Sequence, residues 1–133
     1  MVNVRYLTLG IAVALLPMVL MARPVASVTV RMLGQSESSQ ASDQDICKSF
    51  KPTVAQIKRY FEHAYPVPAH MTMDTYYSPC YAKGHVVFSD GSEGDWRLRS
   101  SGAAGLEWSM GGGVDLLYLD NPWHDPQGGY DIK

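Results

Sequence analysis

The feature that most constrains this chain is a change of hydrophobic period near its middle. From Val54 to Ala64 the apolar residues Val54, Ile57, Phe61 and Ala64 fall at i, i+3, i+7 and i+10, with Tyr60 beside them and Lys58, Arg59 and Glu62 on the other side. That is one stripe of an amphipathic helix. Thr53 and Gln56 have capping-box spacing at its start, and Pro66 and Pro68 stop it. The spacing predicts a helix over 53–64.

From Tyr76 onward the period is 2. His85-Val86-Val87-Phe88 reads as a strand, Trp96 and Leu98 alternate with Arg97 and Arg99, Leu106 and Trp108 flank Glu107, and Val114, Leu116 and Tyr118 make the last set. Ser89-Asp90-Gly91-Ser92, Ser100-Ser101-Gly102 and Gly111-Gly112-Gly113 are turn signals between them. Four strands are expected, at about 83–89, 94–100, 104–109 and 113–119. A lone helix cannot hide its stripe, so the expected fold is α+β: one amphipathic helix packed on a four-stranded antiparallel meander sheet.

The N-terminal residues read differently. Arg5 precedes an apolar run from Leu7 to Ala22, and small residues follow at Ala22, Ala26 and Ser27. This is the pattern of a secretory signal peptide. The run is shorter than the roughly 20 residues of a membrane span and is broken by Pro17. The expected division is a signal peptide at 1–27, a disordered linker at 28–45, an α+β domain at 46–126 and a flexible tail at 127–133. Cleavage is expected after Ala26 or Ser27, with Ala22 as an alternative site. The linker reading rests on Gln35 to Gln44, which holds no apolar residue but Ala41. A periplasmic or secreted location follows, with no stable membrane anchor after cleavage.

Export bears on the cysteines. The chain has two, Cys47 and Cys80, with no C-x-x-C pattern. An even count in an oxidising compartment predicts one disulfide, Cys47 to Cys80.

The chemistry-bearing residues form no catalytic set. There is no G-x-S-x-G elbow, and no two histidines stand at zinc-site spacing. The glycine run 111–113 lacks the G-K-[ST] ending of a phosphate loop. No catalytic residue, no metal ligand and no cofactor is assigned, and the chain is read as not an enzyme. The formal net charge is −2 with no cluster of Lys and Arg, so nucleic acid is set aside. Tyr and Trp are the residues most enriched at binding hot spots. Trp96 and Trp108, on adjacent strands, are expected in the core. Tyr76, Tyr77 and Trp123, on loops or edges beside proline, are the expected partner-binding residues.

Several of these residues carry a resemblance. Tyr77-Ser78-Pro79-Cys80-Tyr81, Gly84, Phe88-Ser89-Asp90-Gly91, Gly94-x-Trp96-x-Leu98 and Gly105-Leu106 follow a helix of the F.P....I..FF..A type, from Phe50 to Ala64. Over residues 46–119 the chain resembles a family of small exported bacterial proteins without a settled activity. The resemblance implies a shared fold and transfers no active site. By analogy of size and location it implies an immunity-like inhibitor, whose partner would be a secreted toxin or an envelope hydrolase. The alternative is an envelope-associated structural or small-ligand-binding domain.

Overall fold

The computed structural model describes Gly10 and residues 23–128. The four expected strands are present as β3 (Cys80–Phe88), β4 (Glu93–Arg99), β5 (Ala103–Trp108) and β6 (Gly113–Leu117). They form an antiparallel meander, with Trp96 opposite Gly84 and Leu106. The amphipathic helix is α2 (Val54–His63). Its capping box is complete: the Thr53 hydroxyl accepts from the Gln56 N–H at 3.1 Å, and the Gln56 side chain accepts from the Thr53 N–H at 2.9 Å.

Two strands were not foreseen, so the sheet has six rather than four. β1 (Val25–Ser36) adds to the free edge of β3, and β2 (Tyr65–Val67) adds to β6, giving the order β1-β3-β4-β5-β6-β2. A short helix α1 (Ala41–Cys47) and a π-helical turn (Met71–Thr75) make three helices among the described residues.

The expected disordered linker at 28–45 is therefore corrected. Its first part is strand because Val28 and Val30 alternate with Thr29 and Arg31 and find a partner in β3, with Val28 against Val86 and Val30 against Gly84. Its second part, though polar, is helical and ends at Cys47, which the disulfide holds. The expected boundary at residue 27 is corrected too. Val25 is only 5% exposed and pairs with Phe88, and the Pro24 carbonyl accepts from the Ser89 N–H at 2.9 Å. Arg23 lies over the Phe88 ring at 4.4 Å and reaches Asp90 at 3.2 Å. Residues 23–27 thus belong to the folded domain, which begins well before 46. The rest of the expected leader lies outside the described residues apart from Gly10, as does the tail from 129.

One face of the sheet is covered. Ile57, Tyr60 and Phe61 of α2 are buried with Trp96, Leu98, Leu106, Val86 and Phe50 in a single core. Phe61 meets Trp96 at a ring separation of 5.8 Å. The buried Tyr60 hydroxyl donates to the Gly102 carbonyl at 2.8 Å, which satisfies its one polar atom. Burial pushes this phenol well above its ordinary pKa of 10.0. Cys47 and Cys80 form the expected disulfide, tying α1 to the start of β3.

The segment after β6 closes the end of the core. The Ser78 and Ser100 hydroxyls are 2.7 Å apart, and Ser100 donates to buried Asp125 at 2.8 Å. Trp123 donates its indole N–H to the Ser100 carbonyl at 3.0 Å and packs against Phe50 and Tyr60, each at 5.9 Å.

Candidate functional site

Strand alternation dictates what the opposite face carries. Trp96 and Leu98 enter the core, so Glu93, Asp95, Arg97 and Arg99 must project the other way. The register lines these up with Tyr81, Lys83, His85 and Val87 of β3 and with Gly105 and Glu107 of β5; Gly113 and Asp115 of β6 complete the surface. Among the described residues α2 does not lie over this face, and only the π-helical turn reaches it, at the β6 edge, where Thr72 donates to Asp115.

Its charges fall into two groups and a gap. The first group surrounds Glu37, just past the end of β1. Arg97 donates to its carboxylate at 2.6 Å, Arg99 at 3.0 Å and the Tyr77 hydroxyl at 3.1 Å. Partial burial pushes the Glu37 carboxyl up, but the Arg99 and Arg97 hydrogen bonds outweigh it and leave its pKa below the ordinary 4.5. The arginines also lie against rings, Arg97 over Tyr81 at 4.5 Å and Arg99 over Tyr77 at 4.9 Å.

The second group is centred on His85. Its Nδ1 is 2.8 Å from Asp95 and its Nε2 is 3.2 Å from Glu93. These two carboxylate hydrogen bonds raise its pKa above 6.5. Asp95 is held below its ordinary 3.8 first by His85 and then by Arg31, which reaches it at 2.9 Å.

Between the two groups and β6 lies a hollow of about 790 Å³, lined among others by Lys83, Arg97, Gly105, Glu107 and Asp115. Its cations Arg31, Lys83 and Arg97 stand on β1, β3 and β4, where Asp95 is already paired with Arg31 and His85. The carboxylates Glu107 and Asp115 stand on β5 and β6. Gly105 faces Arg97 on one side and Asp115 on the other, in the middle of a central strand. A glycine there costs about 0.5–1 kcal/mol of strand stability relative to alanine.

The residues expected to meet a partner separate. Tyr77 is 41% exposed and belongs to the open face through Glu37 and Arg99. Tyr76 is half-buried, and its carbonyl accepts the Ser101 hydroxyl at 2.5 Å. Trp123 is turned into the rim of the core, away from this surface. The proline beside it marked a loop correctly, but a loop that folds back over Phe50 and Tyr60. Arg97, Arg99, Lys83 and Glu107 were not singled out for binding. The signal for them was present in the alternation of Arg97 and Arg99 with Trp96 and Leu98.

Among the described residues no group of three or more His, Cys, Asp and Glu side chains is placed to hold a metal ion. Nor is any helix among them long and apolar enough to cross a membrane. No protein-family model, no curated protein and no solved structure matches the chain.

Proposed function

We propose that this is a small exported protein-binding domain that docks its partner through the open face of the sheet. The observation that carries this reading is the asymmetry of the sheet. One face is filled by α2 and the aromatic core, while the other presents arginines stacked on tyrosines around a hollow. Arg and Tyr held in place by neighbours lose little side-chain freedom on binding, which is why they serve as interface anchors. The formed disulfide fits an oxidising compartment, periplasmic or extracellular. The most concrete version is an immunity-like inhibitor that occupies the cleft of a secreted toxin or an envelope hydrolase. It draws on the likeness in size and location to small immunity proteins.

The test is capture from periplasmic extract with the purified domain as bait, run beside an Arg97→Glu variant of unchanged melting temperature. One specific protein held by the original domain and released by the variant is the expected result. Recovery of the same proteins by both baits would remove the open face as the docking surface.

A further inference from the structure

Three glycines of the sheet can be compared by what a Cβ would meet at each. At Gly84 it would lie 1.9 Å from the Thr29 carbonyl and 2.5 Å from the Trp96 ring. At Gly94 it would lie 2.4 Å from the Glu107 carbonyl. The fold demands glycine at both. At Gly105 no atom of the described residues lies within 4 Å of that position, and the backbone there is not in the left-handed region. Neither packing nor backbone conformation requires a glycine at 105. A strand-interior glycine with free space above it marks a place where another group comes close to the backbone.

The charges around that floor say what kind of group. Lys83 enters no ion pair among the described residues, and neither does Glu107. Glu107 sits directly opposite Asp95, a like-charged cross-strand pair whose cations, Arg31 and His85, bridge to Asp95 and not to Glu107. Asp115 accepts a long hydrogen bond from the Thr72 hydroxyl, at 3.3 Å. Asp95 on the same face already has Arg31 and His85. The cation without a carboxylate partner, Lys83, whose ammonium lies 5.8 Å from the Tyr81 ring, therefore stands on the β3 side of Gly105, and the carboxylates without a cation stand on the β5 and β6 side.

We infer that the hollow over Gly105 is the anchor point of the docking face, and that it receives a partner segment carrying an acidic side chain close to a basic one. The acidic group settles between Lys83 and Arg97. The basic group lies over Glu107 and Asp115, giving Glu107 the counter-charge it lacks among the described residues. The segment's backbone crosses Gly105, where a Cβ would hold it off. This inference rests on the reading of the domain as a protein binder and names what that surface selects.

The probe is the capped peptide Ac-Glu-Gly-Lys-NH2, titrated into the isotope-labelled domain and followed by amide chemical shifts. Saturable shifts in the millimolar range at Lys83, Arg97, Gly105, Glu107 and Asp115 are expected. Ac-Gln-Gly-Gln-NH2 should give none. Gly105→Leu should fold with its melting temperature retained, since its Cβ has open space, and should weaken peptide binding at least tenfold. Should that variant not fold, Glu107→Lys reads the same question on the open surface, again with a loss of at least tenfold. Absence of shifts with the charged peptide would overturn the inference, and so would full binding by a folded Gly105→Leu. Capture of a protein partner by Gly105→Leu at the original level, with capture still lost in Arg97→Glu, would remove the hollow and leave the docking face standing. Loss of face-dependent capture altogether would strike the underlying reading instead.

Discussion

The two faces of one strand, β4, differ in what they are built to resist. Trp96 and Leu98 face α2 and are excluded from water, with Trp96 only 2% exposed. Arg97 and Arg99, their immediate neighbours, face outward and are held by Glu37 and by rings. On the covered face stability comes from apolar area and close packing, which is sensitive to the loss of a few atoms. On the open face it comes from partly exposed ion pairs, each worth less than a well-packed apolar side chain. The difference teaches that the face most tolerant of substitution is also the one whose side chains are most elaborately positioned, which suits a surface kept for recognition.

The sharpest way to break that comparison is to truncate neighbours on β4. Trp96→Ala should cost about 3–5 kcal/mol, a large share of a small domain's stability. Arg97→Ala should cost less than about 1 kcal/mol. Equal losses in urea melts would erase the distinction between the faces. The disulfide joins elements on the covered side, and removing it by Cys47→Ala with Cys80→Ala closes no loop of 33 residues. A loss of about 3–4 kcal/mol is expected on the chain-entropy account, read by the same melts. Non-reducing mass spectrometry of the intact protein should find the two cysteines joined.

A third test concerns where the fold starts. A chain beginning at Val28 lacks buried Val25 and the Arg23 cation–π contact. It should be less stable than one beginning at Arg23 by about 2 kcal/mol. N-terminal sequencing of the protein recovered from a periplasmic fraction should accordingly find Arg23 retained. Next, Trp123→Ala should cost about 2 kcal/mol, because the indole is only partly buried but fills the rim beside Phe50 and Tyr60. Tyr77→Ala should cost less than about 1 kcal/mol and act on partner capture instead. The reverse order would exchange their assignments.

The smallest effect belongs to pH. The folded state holds the His85 imidazolium between Asp95 and Glu93, so its pKa stands above the ordinary 6.5. Its stabilisation is fully present below 6.5 and is lost as pH rises through the higher folded value. The contribution is under about 1 kcal/mol at this exposed site. Melts of the original domain and of His85→Gln should converge as pH rises from 6 to 8, and parallel curves would show that the contacts are without energetic weight.

The helix, its capping box, the four meander strands and the disulfide were legible because each carries a local signal that tertiary structure reinforces. Trp96 and Leu98 against Arg97 and Arg99 announced both faces at once. β1 was legible in kind, since Val28-Thr29-Val30-Arg31 alternates, yet it abuts the apolar run at 7–22 and a polar stretch, and so read as part of a leader and a linker. β2 was not legible. It is three residues long, contains Pro66 and exists only because β6 offers an edge. The open-face site was half legible: alternation placed its arginines, but the hollow depends on Gly105 lying beside Arg97 and Asp115, which only the register reveals.

The position of β1 has a consequence for how fast this molecule reaches its native state. The first strand in the chain pairs with β3, so Val25 must find Phe88 across more than half of the described chain. Such distant pairing cannot form until the intervening loop has closed, and folds built this way are slow. The 80–117 meander can assemble from neighbours by short turns, whereas β1 can be zipped on only after β3 exists. The Cys47–Cys80 bridge, which shortens the path between them, should quicken that last step. Refolding with the bridge intact should therefore be faster than refolding of the double alanine variant, with the gain concentrated in amide protection of β1.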